Sequence, residues 1–104
     1  MSKKREMSGI MTKDELHRFS AKYLCQLFKK TGGNLDMSTG SAELVFESVT
    51  VGAYERPSLA ASIGNHISRH LLEQGLIRKG YLADEVRLTK EGLQKCIETC
   101  RDLY

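Results

Sequence analysis

Apolar residues recur along this chain at two spacings, and the alternation between them lays out its elements. Leu16, Phe19, Tyr23, Leu24, Leu27 and Phe28 return at steps of three, four and one, which puts them on one face of a helix over 12–30. Thr12-Lys13-Asp14-Glu15 has the form of a capping box at its start. Thr31-Gly32-Gly33-Asn34 ends it, since glycine accepts the left-handed conformation at a helix terminus. A second long helix is predicted over 58–74. Leu59, Ile63, Ile67 and Leu71 line one side of it, with Ala60 and Gly64 beside them. Ser62, Asn65, Arg69 and Glu73 line the other, with His66 at the border. Gly75 stops this helix. Leu76-Ile77-Arg78 and Val86-Arg87-Leu88 then read as the strands of a hairpin whose loop contains Gly80. Thr89 caps a last helix with Leu93, Cys96, Ile97, Cys100 and Tyr104 on its inner face.

The middle and the start are less regular. Leu35-Asp36-Met37 has the pattern of a short strand, and Ser38-Thr39-Gly40-Ser41 supplies turn and cap residues. Leu44, Val45, Phe46 and Val49 suit a helix, although Val45-Phe46 and Val49-Thr50-Val51 carry strand propensity; a helix from Ser41 to about Thr50 is the reading favoured. Gly52 to Pro57 forms the connection, with Pro57 at the opening of the next helix. Residues 1–11, polar and carrying Lys3-Lys4-Arg5, read as a flexible basic arm, either a tail without a partner or a DNA-contacting segment. Residues 12–104 read as one domain.

Bulk properties narrow the class. A chain of 104 residues, 40% hydrophobic and 28% charged, has enough apolar material for one modest core. A net charge of +3 permits an acidic partner without requiring one. Apolar runs are too short to cross a bilayer and no apolar block opens the chain, so a cytoplasmic protein with no membrane association is expected. Three cysteines, an odd number, do not make a disulfide framework and are expected as reduced thiols. Cys25 falls opposite the apolar stripe of its helix, beside Arg18, Lys22 and Lys29, where cations would favour the thiolate. It is expected to be exposed or at an interface, with or without a redox role.

Chemistry-bearing patterns are sparse. No nucleophile elbow, phosphate loop or dinucleotide fingerprint is present, so no enzymatic activity and no cofactor are expected. His66 and His70 are four apart, as are Cys96 and Cys100. Both cysteines take core positions of their helix, where cysteine behaves as a small hydrophobe, and no metal site is expected.

Two short motifs carry a resemblance. Leu71-Leu72-Glu73-Gln74-Gly75-Leu76-Ile77 and Leu88-Thr89-Lys90-Glu91-Gly92-Leu93 resemble segments of winged helix-turn-helix regulators of the MarR and PadR groups. In those groups a recognition helix ends in a Gly-Leu-Ile-like step and the wing returns into a Leu-Thr-x-x-Gly segment. The resemblance covers roughly 35–104. It departs at the bulky Leu44-Val45-Phe46 and at the long Gly52–Pro57 connection. It implies an α+β, mainly α fold: a three-helix core, a small β-hairpin wing and an extra C-terminal helix. It also implies a small transcriptional regulator that binds double-stranded DNA with helix 58–74 in the major groove. DNA contacts are expected from Ser58, Ser62, Asn65, His66 and Arg69 on that helix, and from Arg78 and Lys79 on the wing. Arginine can bond bidentate to guanine and asparagine to adenine, while serine hydroxyls and helix-start N–H groups suit phosphate. A single module buries too little surface for tight specific binding, so a homodimer through helices 12–30 and 89–104 is expected. The alternative is a winged helix that binds only protein within a larger assembly, which the acidic Asp84-Glu85 tip and Glu73 favour.

Overall fold

The computed structural model describes residues 11–48 and 57–100, with backbone alone for 57–60. Helix α1 spans Lys13–Thr31, strand β1 Thr39–Gly40, helix α2 Ser41–Ser48 and helix α3 Pro57–Glu73. Strand β2 spans Ile77–Lys79, strand β3 Glu85–Leu88 and helix α4 Lys90–Thr99. The chain is thus α+β and mainly helical, with one small antiparallel sheet in the order β1-β3-β2. Thr39 pairs with Val86 on one side of β3, and Ile77 pairs with Leu88 on the other.

The start of α1 is the expected capping box. Thr12 Oγ1 accepts from the Glu15 N–H at 3.1 Å, and Glu15 Oε1 accepts from the Thr12 N–H at 2.9 Å. Asp14 and Glu15 in the first turn and Lys29 and Lys30 in the last complement the helix dipole. Met11, assigned to the arm from sequence, is buried and joins the core; 1–10 lie outside the described residues. The ambiguous 42–48 segment is helical. Burial decides it: Leu44 and Val45 lie on one helical face, both fully buried. Lys30 fastens α2 to α1 by bonding both Glu43 and Glu47, which stand one turn apart. The Glu43 hydrogen bond, then that to Glu47, raises the Lys30 pKa above the ordinary lysine value. The expected end of α2 near Thr50 lies outside the described residues.

The expected strand at Leu35–Met37 is absent. Asn34 Oδ1 accepts from the Asp36 N–H at 2.9 Å and bends the chain there, so pairing with β3 begins two residues later, at Thr39.

The two sequence motifs are locked to each other. Gly75, at φ 74°, closes α3 with the paired bonds of a Schellman turn, Leu76 N–H to Leu71 O and Gly75 N–H to Leu72 O. Thr89 Oγ1 donates to the Gly75 carbonyl at 2.6 Å and accepts from the Gly92 N–H at 3.0 Å, while the Thr89 N–H donates to Leu76 O. Gly92 lies so close to this junction that a Cβ there would fall 1.9 Å from the Leu76 carbonyl oxygen. The threonine and the two glycines therefore set how α4 leaves the sheet.

The core is built from Tyr23, Leu24 and Leu27 of α1, Leu44 and Val45 of α2, Ile63, Ile67 and Leu71 of α3, Ile77, Val86 and Leu88 of the sheet, and Cys96 and Cys100. Tyr23 is fully buried and its hydroxyl meets Ser41 Oγ at 2.7 Å. Burial pushes its pKa up to about 12, against a smaller opposing effect of that hydrogen bond.

Two expectations about the cysteines are overturned. Cys25 is only 1% exposed, and it forms a disulfide with Cys100 across a Cα–Cα distance of 5.5 Å. The stripe rule placed Cys25 outward because it counts one buried face per helix. Here α2 and α3 cover one part of α1 and α4 packs on another, widening the buried arc to include Ser20, Cys25 and Thr31. Cys96 remains a thiol, buried near the Leu24 carbonyl, and burial pushes its pKa up to about 12. Ile97, expected inward, is half exposed, because Gly92, Cys96 and Cys100 form the buried row of the last helix at steps of four. Tyr104 lies outside the described residues.

Candidate nucleic-acid interface

Helix α3 is held against the core by one row of its side chains, and that anchorage sets what the opposite row presents. Ile63, Ile67 and Leu71 are buried. Gly64 is buried with them, at a close approach of α3 to α2: a Cβ there would meet Ser41 Oγ at 3.1 Å and a Val45 methyl at 3.3 Å. On the opposite side of the helix, Asn65 and Arg69 are exposed and Ser62 and His66 are half-buried. These four residues line one shallow surface depression of about 190 Å³. The structure therefore gathers four of the five residues singled out on this helix. The fifth, Ser58, has its side chain outside the described residues.

On the hairpin, Arg78 and Lys79 are exposed on β2. Arg78 also borders a second cleft, of about 320 Å³, together with Lys90 and Glu91 at the start of α4. Among the described residues Arg69, Arg78 and Lys79 take part in no ion pair. Glu85 is half-buried and its Oε1 accepts from Ser38 Oγ and the Leu82 N–H, which ties it to the fold. Asp84 and Glu73 stay exposed.

Arg87 and Tyr81 were not singled out from sequence. Arg87 donates from Nε to the Lys79 carbonyl and from Nη1 to the Tyr81 hydroxyl, and its guanidinium lies 4.6 Å from the Tyr81 ring centroid. Tyr81 in turn donates to the Asp36 carbonyl at 2.8 Å. This pair stiffens the hairpin and ties it to the loop after α1. Strand alternation alone could have put Arg87 on the outer face with its pairing partner Arg78, but the contact depends on how the loop folds back. The ring and the neighbouring Leu82 remain exposed at the tip.

Cys100 is committed to the disulfide, and no three His, Cys, Asp or Glu among the described residues stand where they would share an ion. No helix of the described residues is long and apolar enough to cross a membrane. Comparison of the chain with known protein families, with curated proteins and with solved structures finds no match.

Proposed function

We propose that this chain is a winged helix-turn-helix protein that binds double-stranded DNA, with α3 in the major groove and the β2–β3 hairpin as its wing. One observation carries the reading. The core grips α3 along Ile63, Ile67 and Leu71, so that Asn65 and Arg69 stand in solvent with Ser62 and His66 beside them. A base-reading helix needs this combination, a rigid back and a front of hydrogen-bonding groups free of internal partners. The packing supports it too, because strand β2 of the hairpin lies against α3. Arg78 and Lys79 supply phosphate contacts, which add affinity without sequence preference. A small transcriptional regulator acting as a homodimer follows, with the half-exposed Ile97 of α4 as apolar surface for the partner.

The test is fluorescence anisotropy against duplexes selected from a random pool, at two salt concentrations. Binding should weaken with salt by a slope of about one per phosphate contacted. Arg69→Ala should lower affinity for the selected duplex roughly tenfold or more while sparing random duplex. Lys79→Ala should weaken both alike. If the two variants behave the same on both duplexes, α3 does not read bases.

A second reading, a protein-interaction module, is favoured by the exposed Tyr81 and Leu82 at the hairpin tip beside Asp84. It would be chosen if no duplex is retained at low salt and a Leu82→Asp variant loses a protein partner that the parent chain retains.

A further inference from the structure

All three cysteines of the chain are buried, and all three meet where α1 packs on α4. Cys100 is bonded to Cys25. One turn earlier on α4, the Cys96 thiol donates to the Leu24 carbonyl at 3.7 Å. That carbonyl belongs to the peptide unit that leads into Cys25. Helix α4 thus brings two sulfurs to the one sulfur of α1, and the bridge uses one of them. With ordinary bond lengths on either side of the Cys96–Leu24 contact, the Cα atoms of Cys96 and Cys25 stand within about 9 Å of each other. A disulfide needs about 7 Å or less, so a shift of at most about 2–3 Å closes the gap, half a helical turn. The third pairing, Cys96 with Cys100, is ruled out by the helix itself. Residues four apart keep their Cβ atoms about 5–6 Å apart, and a bridge needs about 3.5–4.5 Å.

We propose that the disulfide is a latch with two positions, in which Cys96 attacks Cys25 and takes the place of Cys100. In that step the Cys96 thiolate forms a bond to Cys25 Sγ as the bond from Cys25 Sγ to Cys100 Sγ breaks. The electron pair leaves on Cys100, which takes up the proton that Cys96 gave to water. One disulfide and one thiol stand on each side, so neither an oxidant nor a reductant is consumed. Cys100 caps the C-terminal end of α4, its N–H bonded to the Cys96 carbonyl. Moving the bridge inward therefore frees the last turn of α4 from α1. The start of the helix stays in place, because Thr89 and Gly92 hold it against the Leu76 carbonyl. Exchange is slow in the closed fold, since burial pushes the Cys96 pKa up to about 12 and leaves little thiolate to attack. The latch does not depend on nucleic-acid binding, since none of the cysteines lies on α3.

The experiment uses the full oxidised chain in mildly alkaline buffer without added thiol. Samples taken over several days are quenched in acid and alkylated with a maleimide in acidic denaturant. Cleavage after Glu98 separates Cys96 from Cys100, and mass spectrometry reports which of them carries the label. The label should start on Cys96 and spread to Cys100 until a steady share of about 1–10% is reached. The rate should not change with protein concentration, because the attack is within one chain. Cys96→Ser should keep its bridge and take up no label. Cys100→Ser, placed in a glutathione redox buffer, should close a bridge between Cys25 and Cys96, with amide shifts that differ from the parent around 24–26 and 96–100. Label confined to Cys96, a rate that rises with protein concentration, label on the Cys96→Ser chain, or a folded Cys100→Ser chain that keeps both thiols would overturn the proposal. If Cys100→Ser does not fold, the label on the parent chain decides by itself.

Discussion

Opening the Cys25–Cys100 disulfide should remove a large part of the stability of this fold. The bridge joins residues 75 apart in the sequence, so it closes almost the whole domain into one loop. In the chain-entropy account, releasing a loop of that length gives back about 4.5 kcal/mol of freedom to the unfolded chain. Small domains are stable by roughly 5–15 kcal/mol in total, so this is about 30% of the margin or more. A domain of 104 residues loses about 4–5 °C of melting temperature per kcal/mol, which converts the estimate to about 20 °C. Both cysteines are nearly inaccessible, so reduction has to be carried out on the unfolded chain before refolding. Thermal unfolding followed by circular dichroism would compare the oxidised protein, the refolded reduced protein and a Cys25→Ala/Cys100→Ala variant. Reduced and double-variant proteins should melt close together and far below the oxidised form. Alkylation of the denatured, unreduced chain should find one reactive thiol, that of Cys96. Melting temperatures within about 5 °C of each other, or three reactive thiols, would refute the reasoning.

Two further outcomes test particular contacts. Gly92→Ala should destabilise the protein by about 3 kcal/mol, read as a drop in the urea midpoint, because the new methyl would collide with the Leu76 carbonyl. Helix propensity alone gives the opposite sign, a gain of about 1 kcal/mol. Tyr23 holds its proton more tightly folded than unfolded, with a pKa of about 12 against 10.0. Its contribution is therefore complete below pH 10 and is lost as pH rises from 10 to 12, by about 2–3 kcal/mol. Urea titrations across that window should show the fall, and Tyr23→Phe should flatten it.

Much of the architecture was legible because it follows from local rules. The capping box at Thr12, the glycine stops at Gly32 and Gly75, the Thr89 cap and the polar row of α3 all depend on residues within one or two turns of each other. Helix spacing placed Asn65 and Arg69 outside and Ile63 and Ile67 inside, and the structure agrees. The misreadings share a cause. Cys25, Met11 and Ile97 were judged from their own segment, but their burial depends on which other elements arrive: α4 covers Cys25, and nothing covers Ile97 among the described residues. At Leu35–Met37, strand propensity lost to a side-chain bond from Asn34.

By itself the sequence determined the mainly helical α+β class, the ends of most helices and the polarity of the α3 surface, because periodicity and capping act over a few residues. Tertiary structure alone decided that Cys25 meets Cys100, that Gly92 is needed against the Leu76 carbonyl, that Arg87 stacks on Tyr81, and that Cys96 lies against the Leu24 carbonyl. Each of these joins groups far apart in the chain or set by how a loop folds back, and no local pattern encodes the distance between them.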